Sequence, residues 1–303
     1  MLPLLALLLV PTALIGIIAN WLVIIGTWNS RSLSRSFSLL TINQAVFNEV
    51  FTTLFLFYVT PMILWDSEFL ILNSHHCGFI ISICYDAFVH AHTLVAINRF
   101  SAVFFPLIYT RLFSPKSTKL LILTTLLVTF AMFFYYFQYL PCQLYYSPQR
   151  LAFIYNHYPT CLTFVLYGTV YKTITTSFFD VIVDMITIWK VRRMKKQMRK
   201  GQPQVASCQK KEIDCLRQSF AQSVSTLLFS LNIVLLTLFP VNNIITFLFG
   251  MVLWCLLHSM DGVFTLCFNS EIRKSLRSTC FGSPVAVSSL PVIDGKLESK
   301  AQI

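Results

Sequence analysis

Asp86 and His90 stand one helical turn apart in this 303-residue chain, and so do Asp180 and Asp184. Each pair therefore shares one face if its segment is helical. A buried Asp–His pair either satisfies itself or serves as a pH-sensitive group facing a ligand. Two carboxylates one turn apart repel, so one keeps a proton or a cation approaches. A third set, Asn20, Asn43, Asn48, Glu49 and Asp261, is scattered through strongly apolar surroundings. A fourth feature is the string "INRFSAVFFPLIYTRLF", in which an apolar run closes on Asn98-Arg99-Phe100 before Pro106 and Tyr109.

The elements carrying these groups follow from composition. The chain is 56% hydrophobic and only 12% charged, about half the charge of a soluble domain. Apolar stretches near the ~20 residues needed to cross a bilayer recur along its length. In lipid every backbone N–H and C=O must pair within the span, so these stretches must be helices. The fold expected is an all-α membrane protein, with spans at about 3–28, 38–65, 78–98, 119–140, 164–189, 219–240 and 244–268. The first segment begins at Met1 without a basic leader region and stays apolar to Trp28, which favours a retained helix over a cleaved signal. Residues 1–280 form the bundle with a short amphipathic helix after the seventh span, and 281–303 a disordered cytoplasmic tail.

Charge orients the bundle. Twenty-one of the 23 Lys and Arg residues fall in alternate loops and the tail, ten of them between Lys190 and Arg217. The positive-inside rule then places the N-terminus outside and the C-terminus inside. Nearly all of the net charge of +11 lies on one face, which suits anionic lipid and gives no reason to invoke nucleic acid. Cys77, Cys142 and Cys161 lie on the outer side, where disulfides persist; three thiols allow one bridge and leave its pairing open.

A charged group in mid-membrane costs about 2.5–3.5 kcal/mol or more, so it must face the interior and find a partner. Counting ~1.5 Å per residue, Asn20, Asn43, Asn48, Glu49 and Asp261 lie about 9 to 17 Å deep from the inner face on three helices. They form a polar layer, as interhelical glue or as a rearranging core. Phe79, Ile83, Asp86, Tyr167, Trp254 and His258 fall in the outer or middle thirds of spans three, five and seven, where such a lining suits a small, mostly apolar ligand. Arg99 ends span three, where it anchors at the interface; Pro106 stops that helix and places Tyr109 against the underside of the bundle.

Arg99-x-x-x-Val103-x-x-Pro106-Leu107-x-Tyr109 resembles the end of the third helix and the second inner loop of rhodopsin-like G-protein-coupled receptors. Gly16-x-x-x-Asn20-x-x-Val23 resembles their first-helix motif, and Asp261-Gly262-x-x-Thr265 stands in the place of their Asn-Pro-x-x-Tyr. "FNSEIRKSLRSTC" resembles the amphipathic helix that follows, with Cys280 as a lipidation site. A tighter resemblance, over residues 14–278, is to the nematode serpentine receptor class X family of chemoreceptors. It rests on "NRF", "AVFFPLIYTRLFS", "FYVTPMIL", "FFDVIVDMITIWKVRRMKK" and "HSMDGVFTLCFNSEIR".

That resemblance implies a chemosensory receptor in the plasma or ciliary membrane of sensory cells, with a small-molecule ligand, a heterotrimeric G protein and membrane lipids as partners and no cofactor. Asn98, Arg99, Phe100, Pro106 and Tyr109 would carry coupling. Asn98 replaces the usual acidic neighbour of the arginine, so a resting partner for Arg99 must come from Asp184, Glu212 or Asp214. Span two lacks the usual aspartate, and span six lacks the Cys-Trp-x-Pro kink. Other classes fit less well. A ligand-gated channel or a transporter is the main alternative, but inverted repeats and Gly- or Pro-broken mid-membrane helices are not seen. Tyr85-Asp86 resembles half of an intramembrane aspartyl protease, yet Asp261 lies in Met-Asp-Gly without the matching Gly-x-Gly-Asp context. No enzyme and no metal site is expected.

Overall fold

Serines and an asparagine start three of the long helices. Ser34 Oγ accepts from the Phe37 N–H at 3.3 Å, Ser114 Oγ from the Ser117 N–H at 3.2 Å, and Asn242 Oδ1 from the Ile245 N–H at 2.9 Å. Each fills one of the orphan donors of a first turn. The computed structural model describes residues 2–198, 203–239 and 241–281. Among them, α1 is Leu9–Trp28, entered through a 3₁₀ turn at Leu2–Leu8. Helix α2 is Arg35–Leu64, α3 Ser74–Phe104 and α4 Pro115–Gln138. Helix α5 runs from Pro159–Thr163 through a π-helical stretch, Phe164–Tyr171, into Lys172–Met198. Helix α6 is Pro203–Leu238, α7 Asn243–Phe268 and α8 Ser270–Phe281.

Six of these helices are long and apolar enough to cross a membrane. Helix α5, the seventh of the bundle, carries Lys172, Asp180 and Asp184 along its length. The expected segments 78–98, 164–189 and 244–268 sit inside helices, whereas 38–65, 119–140 and 219–240 run one or two residues past the ends of theirs at Leu64, Gln138 and Leu238. Where the charge begins the helices extend further, α3 continuing to Phe104 and α6 beginning at Pro203. A π turn at Phe55–Val59 precedes Pro61, whose missing N–H interrupts α pairing; the Phe55 carbonyl accepts both the Thr60 backbone N–H and, at 2.7 Å, the Thr60 hydroxyl.

Helix α1 packs on α2 and α7, α2 on α3, α3 on α5, α5 on α6 and α6 on α7, while α4 lies outside α2 and α3. Lipid tails are as apolar as leucine, so helix association rests on close packing and interhelical hydrogen bonds. Leu120, Leu127 and Val128 of α4 accordingly face outward, whereas Phe51, Phe55, Met62, Ile81 and Phe133 fill the interior. At Gly262 of α7, an added Cβ would lie 2.8 Å from Asn20 Oδ1, so the absence of a side chain lets α1 and α7 touch at their polar positions.

A purely helical expectation misses one element. Between α4 and α5, β1 (Leu144–Ser147) pairs antiparallel with β2 (Ala152–Tyr155), Leu144 opposite Tyr155 and Ser147 opposite Ala152. Both strands are rich in aromatic and aliphatic residues, and Leu151, at a φ of 52°, closes the turn between them. The hairpin lies across one end of the bundle because α3 offers Gly78 there; a Cβ at that position would collide with the Leu144 carbonyl. Cys142 and Cys161 form the disulfide, tying the hairpin to the start of α5, and Cys77 is a buried free thiol. This settles the pairing left open among the three outer cysteines. We call this the hairpin end and the opposite one, where Arg99 lies, the basic end.

Candidate functional site

Three layers stack along the bundle axis: a cavity beneath the hairpin, a polar core in mid-bundle and a cationic site at the basic end.

The polar core centres on Asp261 of α7. Its carboxylate accepts from Gln44 Nε2 at 2.8 Å and Asn48 Nδ2 at 2.6 Å, and faces His92 Nε2 at 3.2 Å. Asn48 Oδ1 lies 2.7 Å from His258 Nδ1, and Asn20 Nδ2 donates to the Gly16 and His258 carbonyls at 2.9 and 3.3 Å. From α6, Gln222 Nε2 donates to the Asp261 carbonyl at 3.1 Å and to Thr265 Oγ1 at 3.1 Å, while Gln218 Nε2 reaches Thr265 Oγ1 at 2.9 Å. The network thus joins α1, α2, α3, α6 and α7, and every one of these side chains is buried.

Two members expected of this layer are not in it. Asn43 is half-buried, and Glu49 accepts from Thr53 at 3.3 Å beside Trp21. Depth alone placed them correctly, but an α-helix turns about 100° per residue. Glu49 therefore points about 100° and Asn43 about 140° away from Asn48. Gln44, one turn before Asn48, takes the place assigned to Asn43. His92, two turns before Arg99 on α3, supplies the partner that no counting of amides reveals.

At the basic end the Arg99 guanidinium lies 4.3 Å above the centre of the Phe37 ring. Its Nε and Nη2 are buried and make no hydrogen bond among the described residues. Of the three proposed resting partners, Asp184 lies within electrostatic reach of Arg99 but accepts its hydrogen bonds from Ser219 at 3.1 Å and Ser223 at 3.3 Å. Asp214 pairs with Arg217 at 3.5 Å, a neighbour on its own helix, and so is not held by Arg99. The Glu212 side chain, like that of Cys280, lies outside the described residues, as does the tail from 282 onward. Asp180 accepts from Thr93 at 3.0 Å, so separate hydroxyls on α3 and α6 serve the two α5 carboxylates. Asn98 is buried, and Phe100 stacks on Phe104 with ring centres 4.5 Å apart. Pro106 opens the short helix Pro106–Leu112, from which Tyr109 stacks on Phe113 against the cluster of Phe37, Leu40 and Val95.

The cavity beneath the hairpin has a volume of about 490 Å³, within the ordinary range for small-molecule sites. Phe133, Phe153, Val165, Phe229 and Ile233 give it apolar walls, and Trp254 with Tyr85 lies at its inner end. Tyr155 of β2 also lines it; burial pushes its hydroxyl up to about 12, so the phenol is neutral at physiological pH.

Of the six pocket residues expected from the sequence, Trp254 alone lines this cavity. Phe79 packs edge-on against Phe137, ring centres 4.9 Å apart, and Ile83 packs into the apolar core. Tyr167 is 68% exposed on the outer side of α5. Asp86 is held by Lys172, by Thr129 Oγ1 at 2.9 Å and by His90 at 3.3 Å, a mutually satisfied cluster of α3, α4 and α5. His258 lies deeper, with its ring stacked 3.7 Å from Phe51. Much of the lining comes from the hairpin and the 156–158 segment that follows it, which no helical periodicity marks.

Contacts connect the layers. Trp254 lies 5.3 Å from Phe51 and 5.7 Å from Tyr85, and Phe51 lies 3.7 Å from His258, centre to centre. His258 binds Asn48, and Asn48 binds Asp261.

Comparison with known proteins agrees with this arrangement. The profile of the family described as "Serpentine type 7TM GPCR chemoreceptor Srx" matches residues 10–269. "Serpentine receptor class X 45" of Caenorhabditis elegans is 28% identical over 296 residues, covering 91% of this chain and 81% of that protein. The crystal structure of squid rhodopsin superposes with a TM-score of 0.72 at 15% identity, covering 92% of this chain and 84% of the other.

Proposed function

Because the chain belongs to the Srx family of serpentine seven-transmembrane chemoreceptors, multi-pass membrane receptors and not enzymes, we propose that the cavity beneath the hairpin is its ligand site and Arg99 the centre of its G-protein face. The hairpin end then faces outward and the basic end the cytoplasm, in the sense the Lys and Arg distribution demands. The membrane is that of a sensory cell, plasma or ciliary, and the ligand is a small, mostly apolar molecule.

One observation carries this reading: the cavity floor and the polar core are in continuous contact through Trp254, Phe51 and His258. A ligand changes a two-state equilibrium only by its difference in affinity for the two states. Here Trp254, on which the ligand would rest, packs on Phe51, whose ring stacks on His258, and His258 is linked through Asn48 to the Asp261 carboxylate joining α7 to α2 and α3. A ligand that repacks Trp254 therefore favours a different set of interhelical hydrogen bonds. The α3–α5–α6 end opens around Arg99, and a Gα helix enters the gap in the manner of a helix in a groove. The described basic residues Lys190, Arg192, Arg193 and Arg217 border that gap and face anionic lipid.

The test fills the cavity. Ser230 lines it and donates to the Thr226 carbonyl of its own helix at 2.8 Å, so a larger side chain there grows into empty space. Cells expressing the receptor with a promiscuous Gα are screened with volatile and water-soluble odorants, and each active compound is tested again on Ser230→Leu and Ser230→Trp. Responses are expected to fall in that order, with Ser230→Trp near background and surface expression within about twofold of wild type. An undiminished response in Ser230→Trp would place the ligand elsewhere.

A further inference from the structure

The walls of the cavity carry several polar groups, and they differ in one respect. Ser82 Oγ donates to the Gly78 carbonyl at 2.7 Å and Ser230 Oγ to Thr226, so both hydroxyls are satisfied within their own helices. The Trp254 Nε1–H is different: it is buried and has no acceptor among the described residues, and its residue lines the cavity. Thr173 Oγ1, close to the Tyr85 hydroxyl, and Thr169 Oγ1, close to that of Tyr155, are likewise buried without a completed bond among the described residues, and Thr173 is 2% exposed. A buried indole N–H left without a partner costs about 1–3 kcal/mol, which a ligand acceptor placed there would recover.

The charge around the cavity narrows the class. Arg150, at the hairpin turn, is exposed and is the lining residue with a permanent charge; no Asp or Glu lines the space. The carboxylate of Asp86, next to the lining residue Tyr85, is already occupied by Lys172, Thr129 and His90. A protonated amine entering this space would lose its hydration without gaining a counterion, which is costly in an apolar site.

We propose that the cavity takes an uncharged, mostly apolar molecule bearing a single carbonyl-type acceptor, a ketone or an ester, whose oxygen accepts from the Trp254 indole N–H with the Thr173 hydroxyl beside it. This rests on the cavity being the ligand site. The aromatic and aliphatic walls take the hydrocarbon part, and each methylene added before the cavity is full raises affinity about fourfold.

The experiment uses the full-length receptor in lipid nanodiscs and reads ligand-induced stabilisation against heat. The probes are straight- and branched-chain ketones and esters of graded length, each with a matched alkene in which =CH2 replaces the oxygen and a matched primary amine. The carbonyl compounds are expected to act at concentrations about tenfold or more below their alkenes, with the amines weakest. Trp254→Phe keeps an aromatic ring and removes the N–H. It is expected to bring each ketone down about tenfold, to the level of its alkene, while the alkenes change little; Thr173→Val moves the ketones in the same direction by less. Alkenes equal to ketones, amines ranked first, or ketones indifferent to Trp254→Phe would each overturn the assignment. Ser230→Trp separates the two claims. Stabilisation lost in that variant with the wrong ranking of head groups overturns this inference alone, and stabilisation that survives it removes the cavity reading as well.

Discussion

Asp261→Ala is expected to lower the thermal unfolding midpoint of the receptor by about 10 °C and to strip most of it from the cell surface. The carboxylate is the common acceptor of Gln44 and Asn48 and the partner of His92, and all four residues are at most 4% exposed. Without it those groups are left buried and unpaired. Each orphaned polar group costs about 1–3 kcal/mol, so three of them together cost about 3–9 kcal/mol. At ~2–4 °C per kcal/mol for a chain of this size the fall is of the stated order. Asp261→Asn keeps the shape and one acceptor oxygen and is expected to recover part of the loss. Glu49→Gln serves as the contrast: its side chain is half-buried, lies outside the Asp261 network beside Thr53 and Trp21, and keeps an acceptor oxygen as glutamine, so the midpoint should move by little. A fall in Glu49→Gln as large as in Asp261→Ala would show that depth in the bundle, and not membership of the network, sets the cost.

Arg99→Ala has the opposite signature: normal folding and lost coupling. The guanidinium lies over Phe37, a contact worth ~1 kcal/mol, and two of its nitrogens are buried without a partner, so removing it takes little from stability. In the proposed signalling state it would be the cation that an entering Gα helix meets. Truncating one side of a buried charge contact at an interface typically costs 2–5 kcal/mol, about thirtyfold or more in affinity. Nucleotide exchange on a promiscuous Gα, compared at equal surface density, is therefore expected to fall at least thirtyfold while the unfolding midpoint shifts by no more than a few degrees. Arg99→Lys keeps the charge but not the planar stack on Phe37, and should fall between the two. If Arg99→Ala signals as wild type, the residue is only an interfacial anchor.

How much of this is legible in the sequence depends on which physical quantity the sequence encodes. Helix number and order follow from hydropathy, because lipid forces every span to be helical. The direction proposed for the bundle rests on the Lys and Arg distribution. The polar core is half legible. Asn20, Asn48 and Asp261 share a depth and do meet, but depth says nothing about rotation, so Asn43 and Glu49 were grouped with them although they point elsewhere. His92 and Gln44 follow once rotation is counted, since each stands a whole number of turns from a residue already singled out. The cavity is the least legible part. Its walls include Phe153, Tyr155 and Asn156, which reach it only because β1 and β2 pair and Cys142 bonds Cys161. Pairing across a loop leaves no period in the chain, and three outer cysteines are equally compatible with a bridge to Cys77.

The claim on which the rest depends is that engaging a G protein opens the basic end of the bundle between α3 and α6. The direct measurement is the distance between spin labels at Leu107 and Arg217, both exposed at that end, for receptor in nanodiscs with and without nucleotide-free Gα. A second, longer distance is expected when Gα is present, absent from Arg99→Ala at the same Gα concentration. A single distribution that Gα leaves unchanged in the wild-type receptor would contradict the account.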